Sequence, residues 1–300
     1  MGGYPSVSKV LVIGCGGTGA YTISHLSRLI SVINGTNAKE RGSRIYKNRP
    51  DVNLYLADGD LVEAKNLNRQ HFISQEVGRN KAEVLGERYS AAFGLQIGVI
   101  PKDIEKVGDL DFFMGDGNSA TLIIGCVDNN ASRRVIMDWF YGTKDGSPDN
   151  VIYKNNYASK FWIDSGNEER NGQVICGYIP AIRGLWGTPK MNPHKAKRGG
   201  SHGEFSLPCV TEVYKNISEQ NDRFNSQMSC AERAESAPQN MQTNVTAATI
   251  IMNYATKILM SEIIKSHGVE FNIDNAFSTK LNTPENLSII KKSRLRFWEK

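Results

Sequence analysis

Four glycines close together, two aspartates a short way downstream, and a run of amide and cationic side chains beyond them are the residues of this chain best suited to chemistry. Gly14, Gly16, Gly17 and Gly19 stand in GCGGTG. Glycines at this spacing permit a tight turn in which backbone N–H groups approach a phosphate-bearing ligand, and a following helix N-terminus favours negative charge there. Asp58 and Asp60 follow in ADGD, then Asn66, Arg69 and Gln70 in NLNRQ, then Lys81. The first aspartate suits a ribose hydroxyl, and the amide and cationic donors suit a triphosphate. Asp128, after a buried apolar run, suits Mg²⁺. A site that transfers phosphate-linked groups needs such donors, because charge builds on the phosphates during transfer.

These residues must be carried by alternating strands and helices. Lys9 to Ile13 is a short apolar, β-branched run that reads as a buried strand. The glycine turn follows it, and Ile23, Leu26, Leu29, Ile30 and Ile33 then recur at helical spacing. Asn34 to Pro50 is polar and basic and reads as an inserted loop. Strands are expected at Val52 to Ala57, Leu95 to Ile100 and Thr121 to Val127, with helices at Val77 to Phe93 and Ala131 to Tyr141. This order predicts an α/β fold, Rossmann-like and doubly wound, with a mainly parallel sheet covered on both faces. Asp58 lies later than the usual ~20 residues after the glycines, and the inserted loop accounts for the delay.

The second half is different. Strands are expected at Val151 to Tyr153, Lys160 to Asp164 and Gln173 to Ile179, and a long helix at Met241 to His267. Ala181 to Gly203 carries basic residues, prolines and glycines but no acid, and reads as a mobile loop. No interdomain linker is evident. The chain is therefore read as one domain over 1–300, with a nucleotide-binding half at 1–145 and a variable half at 146–300.

Composition narrows the function classes. Of 300 residues, 40% are hydrophobic, enough for a sizeable core. No stretch reaches the roughly 20 apolar residues of a membrane helix, and no secretory leader is apparent. The expectation is a soluble cytoplasmic protein. The net charge of +5 is mild, and its denser patches have no nucleic-acid-binding motif around them. The five cysteines, Cys15, Cys126, Cys176, Cys209 and Cys230, include no CxxC pair, so a four-ligand zinc site is unsupported. Cys15 and Cys126 read as small packing residues and Cys176 as structural. Cys230 is the leading nucleophile candidate and Cys209 the second. His25 and His71 read as helix-face and loop residues, and Arg133 and Arg134 as cover for the sheet end.

The glycine turn alone would serve a dehydrogenase, methyltransferase or flavoprotein equally well. The combination is more specific. VLVIGCGGTG, LADGDLVEAKNLNRQHF, VGRNKAEV and IIGCVDNNASRR occur in order over Lys9 to Arg134, and together they resemble the adenylation core of the ThiF/MoeB/E1 family. NLNRQ, which a nicotinamide or flavin enzyme would leave unexplained, is the most distinctive piece. The resemblance implies attack of a protein's C-terminal glycine carboxylate on the α-phosphate of ATP, giving an acyl-adenylate and pyrophosphate. Residue by residue, it implies that Asp58 binds the ribose. Asn66, Arg69 and Lys81 take the phosphates with Gln70 in support, and Asp128 holds the magnesium. Asp60 is counted with the nucleotide-binding residues.

The partner so implied is a ubiquitin-like or sulfur-carrier protein ending in glycine, with an E2-like protein as a possible next acceptor and a homodimer as the family default. Asp164-Ser165-Gly166-Asn167, followed by Gly172-Gln173-Val174, resembles the D-x-G-N…GQV segment of bacterial ThiF-like proteins, those of PRTRC gene clusters included. That segment implies a groove for the partner's tail. Cys230, ahead of the long helix, is placed like the catalytic cysteine of single-domain E1 enzymes of the autophagy type, and implies a thioester. Two departures stand out. The paired CxxC zinc ligands of many bacterial members are missing. So is an arginine before the first strand, the first being Arg28, which leaves Lys9 or another chain for that role. The alternatives are a tRNA-modifying dehydratase of the same fold and a non-catalytic partner-binding module.

Overall fold

Apolar strands that are buried on both faces organise the chain. The computed structural model describes residues 4–40, 50–115, 119–142, 158–181, 207–219, 222–224, 240–262, 264, 266–274 and 278–281. The elements are β1 (Val7–Ile13), α1 (Gly17–Glu40), β2 (Asn53–Ala57), α2 (Lys81–Phe93), β3 (Gly98–Ile100), β4 (Ala120–Gly125), α3 (Asn130–Tyr141), β5 (Lys160–Asn167), β6 (Asn171–Ile179), the single turns α4 (Val210–Val213) and α5 (Asn216–Glu219), α6 (Met241–Leu259), β7 (Gly268–Asn272) and β8 (Ser278–Leu281). One sheet holds the strands in the order β3-β2-β1-β4-β5-β6-β7-β8. The pairings from β3 to β5 are parallel and those from β5 to β8 antiparallel.

Successive side chains of a strand point to opposite faces, and here both faces are apolar. Val10 and Val12 of β1, Leu122 and Ile124 of β4, and Phe161 and Ile163 of β5 pack with Ile23, Leu26 and Ile30 of α1, Leu85 of α2 and Ile251 and Ile258 of α6. Leu11, Ile13, Ile123 and Trp162 face the other way, into a core with Ile136, Trp139 and Phe140 of α3 and Val210 of α4. Trp139 and Trp162 are the largest fully buried side chains among the described residues. This is the doubly wound, Rossmann-like arrangement expected from the sequence.

Several boundaries differ from the sequence reading. Helix α1 continues into the segment expected as a loop, as far as Glu40. Asn34 explains this: its side chain bonds both backbone groups of Val52, donating to O at 3.0 Å and accepting from N at 2.9 Å. Asn37 likewise donates to Pro50 O. The polar residues thus dock the helix onto the start of β2. Helix α2 begins at Lys81 rather than Val77, because Gly78 has φ +88° and Asn80 caps the helix by accepting from Glu83 N. Strand β3 is only three residues long. Helix α6 ends at Leu259, Ser261 turns with φ +57°, and the chain enters β7, which the periodicity did not reveal. Residues 41–49, the strand expected at Val151 to Tyr153, residues 182–203 of the basic loop, and Cys230 lie outside the described residues.

Candidate functional site

In an open α/β sheet the carboxyl ends of the strands face the ligand crevice. Strand β1 ends in the glycine turn, β2 in Asp58, β4 in the loop that holds Asp128, and β5 in Asn167. The expected site residues therefore come from three adjacent strand ends and the loops that follow.

The glycine turn is tight. Gly14 has φ +91°, a region that disfavours any side chain, and a Cβ there would collide with the carbonyl of Cys126. A Cβ on Gly19 would collide with the Gly14 carbonyl, and one on Gly17 with the Asn244 side chain. Gly16 is different: a Cβ would meet nothing nearer than Gln70 Nε2 at 3.7 Å. The protein itself requires glycine at the other three positions, whereas Gly16 keeps a bare backbone that the protein does not fill. The first N–H groups of α1 have no carbonyl one turn back and point out of the turn, and no acid stands in that first turn. The turn is a cradle for an anion.

Asp58 is fastened to this turn. One carboxylate oxygen accepts Cys15 N–H at 2.5 Å and the other accepts Asp60 N–H at 2.8 Å. Burial pushes the Asp58 carboxyl up to about 6; Lys81 and the two N–H donors pull it down, and Asp60 adds to the rise. Lys81, the first residue of α2, is buried and donates to Asp60 Oδ2 at 2.9 Å. Burial disfavours its charge, but Asp58 and Asp60 outweigh that and hold its pKa above the ordinary lysine value. The ammonium is therefore kept charged at the strand ends. Asn80, which the sequence reading passed over, joins the two: its Nδ2 donates to Asp58 O at 2.9 Å and to Asp60 O at 3.2 Å while its oxygen caps α2. An Asn directly before a helical run was the available signal.

The NLNRQ segment wraps as a short turn at the rim. Asn66 is buried, and its side-chain oxygen accepts Glu63 N at 2.9 Å, so the role left for this side chain toward a ligand is that of donor. Its backbone carbonyl accepts Arg69 N and Gln70 N, which sets both residues on one turn. Arg69 is half-buried there. Gln70 is buried against Gly16, and its Oε1 has no hydrogen-bond partner. An orphaned acceptor beside a bare glycine fits a ligand that brings donors, as a nucleotide's sugar or base does.

Asp128 is exposed, with Asn129 Nδ2 at 3.4 Å. The loop under it is held by Arg133 of α3, whose guanidinium donates to Val127 O at 2.7 Å, Asn130 Oδ1 at 3.1 Å, Ser165 O at 3.1 Å and Asp164 Oδ1 at 3.0 Å. Arg133 thus covers the sheet end, as expected, and also fixes the Asp128 loop. Asp103, after β3, accepts Gly59 N–H at 3.1 Å, and its pKa is raised by burial and then by Asp60, Glu105 and Asp128. Among the described residues no three His, Cys, Asp or Glu side chains form a metal cage. A lone exposed carboxylate suits Mg²⁺, which keeps waters and commonly arrives on substrate phosphates.

The described cysteines are poor nucleophiles. Cys15, Cys176 and Cys209 are fully buried. The Cys209 thiol, within 3.2 Å of Tyr141 OH and 3.1 Å of Thr211 Oγ1, is pushed up to about 11, first by burial and then by Glu212. This counts against the second nucleophile candidate. Lys9 sits in β1, away from the strand's carboxyl end, and its ammonium is bonded to Phe112 O at 2.7 Å and lies over the Phe112 ring.

With this geometry in place, comparison decides the family. The ThiF family profile matches residues 6–288. The chain belongs to the ThiF family. No curated protein matches it in sequence. Among solved structures, it superposes on E. coli MccB with AMPCPP and MccA at a TM-score of 0.54 and 16% identity, on E. coli MccB with succinimide at 0.53 and 15%, and on PaaA at 0.52 and 15%. Each alignment covers 92% of this chain and 63% of the other. The chain thus spans less than two thirds of those proteins, and the likeness is one of fold. Among the described residues no helix is long and apolar enough to cross a membrane.

Proposed function

We propose that this ThiF-family chain is an E1-like enzyme that uses ATP and Mg²⁺ to adenylate the C-terminal glycine of a ubiquitin-like or sulfur-carrier protein. The observation that carries the proposal is the fastening of Asp58 to the glycine turn, with Lys81 held charged beside it. A ribose acceptor, an anion cradle and a phosphate donor then share one crevice. A crystal structure of E. coli MccB with ATP exists for the same fold, and the occurrence of NLNRQ beside the crevice supports the same reading.

In this proposal Asp58, ionised above about pH 6, accepts a ribose hydroxyl. The first turn of α1 and the donors Asn66, Arg69 and Lys81 take the phosphates, with Gln70 in support. Asp128 holds Mg²⁺, which supplies charge neutralisation on the phosphate oxygens when bound. The acceptor's carboxylate oxygen attacks the α-phosphorus and the bond to the bridging oxygen of the β-phosphate breaks. Pyrophosphate leaves, and the product is a mixed anhydride. Transfer to Cys230 as a thioester, and from there to an E2-like protein, is the further step proposed for conjugation; a homodimer is the proposed assembly.

The decisive assay is pyrophosphate exchange into ATP with small glycine-ending proteins, with Asp128→Ala as control. Partner-dependent exchange that the variant lacks supports adenylation. A reducing-agent-sensitive adduct lost in Cys230→Ala then supports the thioester. Absence of exchange with every such partner sinks the proposal.

A further inference from the structure

The glycine turn has a second buried amide against it, on an element far away in sequence. Asn244 closes the first turn of α6 and is 1% exposed. Its oxygen accepts from Thr18 Oγ1 and from Asn167 Nδ2, both at 3.2 Å. Asn167 Nδ2 also donates to Thr18 Oγ1 at 2.6 Å, and Ser165 Oγ supports Asn167 Oδ1 at 3.1 Å. Three side chains, buried Thr18 of α1 and Asn244 of α6 and half-buried Asn167 of β5, thus close a polar triangle at the start of α1. Thr243 Oγ1 donates to Glu169 O at 2.6 Å and fixes α6 to the turn between β5 and β6.

The triangle uses up the Asn244 oxygen and leaves its nitrogen. Nδ2 is buried without a hydrogen-bond partner and rests against Gly17, the first residue of α1, where any Cβ would collide with it. An unpaired buried donor is costly. Its position is informative, because the positive end of the amide dipole is packed against the turn proposed as the anion cradle. The neighbouring strand ends already carry the ribose candidate Asp58 on β2 and the metal candidate Asp128 on β4. The amide triangle stands on the opposite side of the turn from Asp58, toward β5.

We propose that Asn244 is a phosphate-positioning residue. It fixes the first turn of α1 through Gly17 and Thr18, adds the positive end of its dipole to the anion cradle, and ties that cradle to the end of β5 through Asn167. The inference rests on the reading of this crevice as an ATP site. It specifies which part of the nucleotide Asn244 serves: the phosphate chain, and not the nucleoside.

The test is calorimetric binding of ATP with Mg²⁺, and of adenosine, to the full chain and to Asn244→Asp. The aspartate keeps the size of the side chain and the acceptor for Thr18 and Asn167, and places a carboxylate oxygen where Nδ2 stands. The expected result is an ATP affinity lower by tenfold or more and adenosine affinity changed by less than twofold, in a chain that melts lower because of the buried carboxylate but is folded at the assay temperature. Thr18→Val, which breaks the triangle without adding charge, should weaken ATP by severalfold with the same selectivity, and it provides the readout if the aspartate variant does not fold. Equal losses for ATP and adenosine, or unchanged ATP binding in a folded variant, overturn the role of Asn244. Failure of the unmodified chain to bind ATP instead overturns the reading of the crevice, and the inference with it.

Discussion

The Asp58 carboxylate accepts the backbone N–H of Cys15 at 2.5 Å, across 43 residues of sequence. The acid that ends β2 and the turn that ends β1 are therefore one rigid unit, and a nucleotide bound to one is positioned by the other. Because burial holds Asp58 near 6, this unit has a pH dependence. Calorimetric Mg·ATP affinity should fall as the pH is lowered from 7 to 5, with a midpoint near 6. Asp58→Asn should bind at least tenfold more weakly at pH 7 and lose that dependence. Wild-type affinity that is flat across this range would rule out Asp58 as the ribose acceptor. For stability the sign is opposite: a raised carboxyl pKa stabilises the fold below the unfolded value near 3.8, and that contribution is lost as the pH rises through about 6.

The glycines should separate by role. Gly14→Ala forces a side chain onto a residue at φ +91° and into the Cys126 carbonyl. It should cost about 2 kcal/mol or more, which is roughly 3 °C in melting temperature for a chain of this size. Gly16→Ala meets only Gln70 at 3.7 Å. It should melt within about a degree of wild type, yet bind ATP distinctly more weakly. Thermal melts and calorimetry on the two variants decide this.

Asp128 and Arg133 should behave in opposite ways. Asp128 is exposed, so Asp128→Ala should leave stability unchanged while pyrophosphate exchange falls about 100-fold or more. Arg133 and Asp164 form a buried pair, 8% and 1% exposed at the side chain. Arg133→Ala strands a buried carboxylate and should destabilise by about 3–5 kcal/mol in urea unfolding. An Arg133→Ala chain of wild-type stability would refute the clamp.

Lys160, fully buried at the start of β5, donates to Trp139 O at 2.6 Å, and burial lowers its pKa to about 7. A lysine held below its unfolded value of 10.5 contributes stability above that value and loses it as the pH falls through about 7. Lys160→Met should therefore be the more stable chain at pH 6, with the difference shrinking by pH 9. Urea unfolding at the two pH values tests it, and a difference independent of pH would show that the buried amine does not titrate.

The sequence by itself determined the alternation of elements and the identity of most site candidates. Continuous apolar runs such as LVI and TLII can be satisfied only where both sheet faces are covered. A turn of four close glycines between a strand and a helix implies backbone approach to a ligand. Asp58 and Asp128 were legible as candidates because each follows a strand fixed by local pattern, whereas Lys81, inside the helix expected at Val77 to Phe93, was legible only by its residue type and the VGRNKAEV motif. Tertiary structure alone decided the rest. Asn34 and Asn37 extend α1 because they bond β2's approach, a contact invisible to periodicity. Cys209 is a plausible thiol in sequence, but the fold buries it completely, and burial, with Glu212 beside it, raises its pKa. Strand β7 needs its partner β6 to be recognised. Asn244 reaches Gly17 across more than two thirds of the chain, and nothing in its own helix marks it. Such residues work through distant partners, and only the packing of α6 against α1 and β5 brings those partners together.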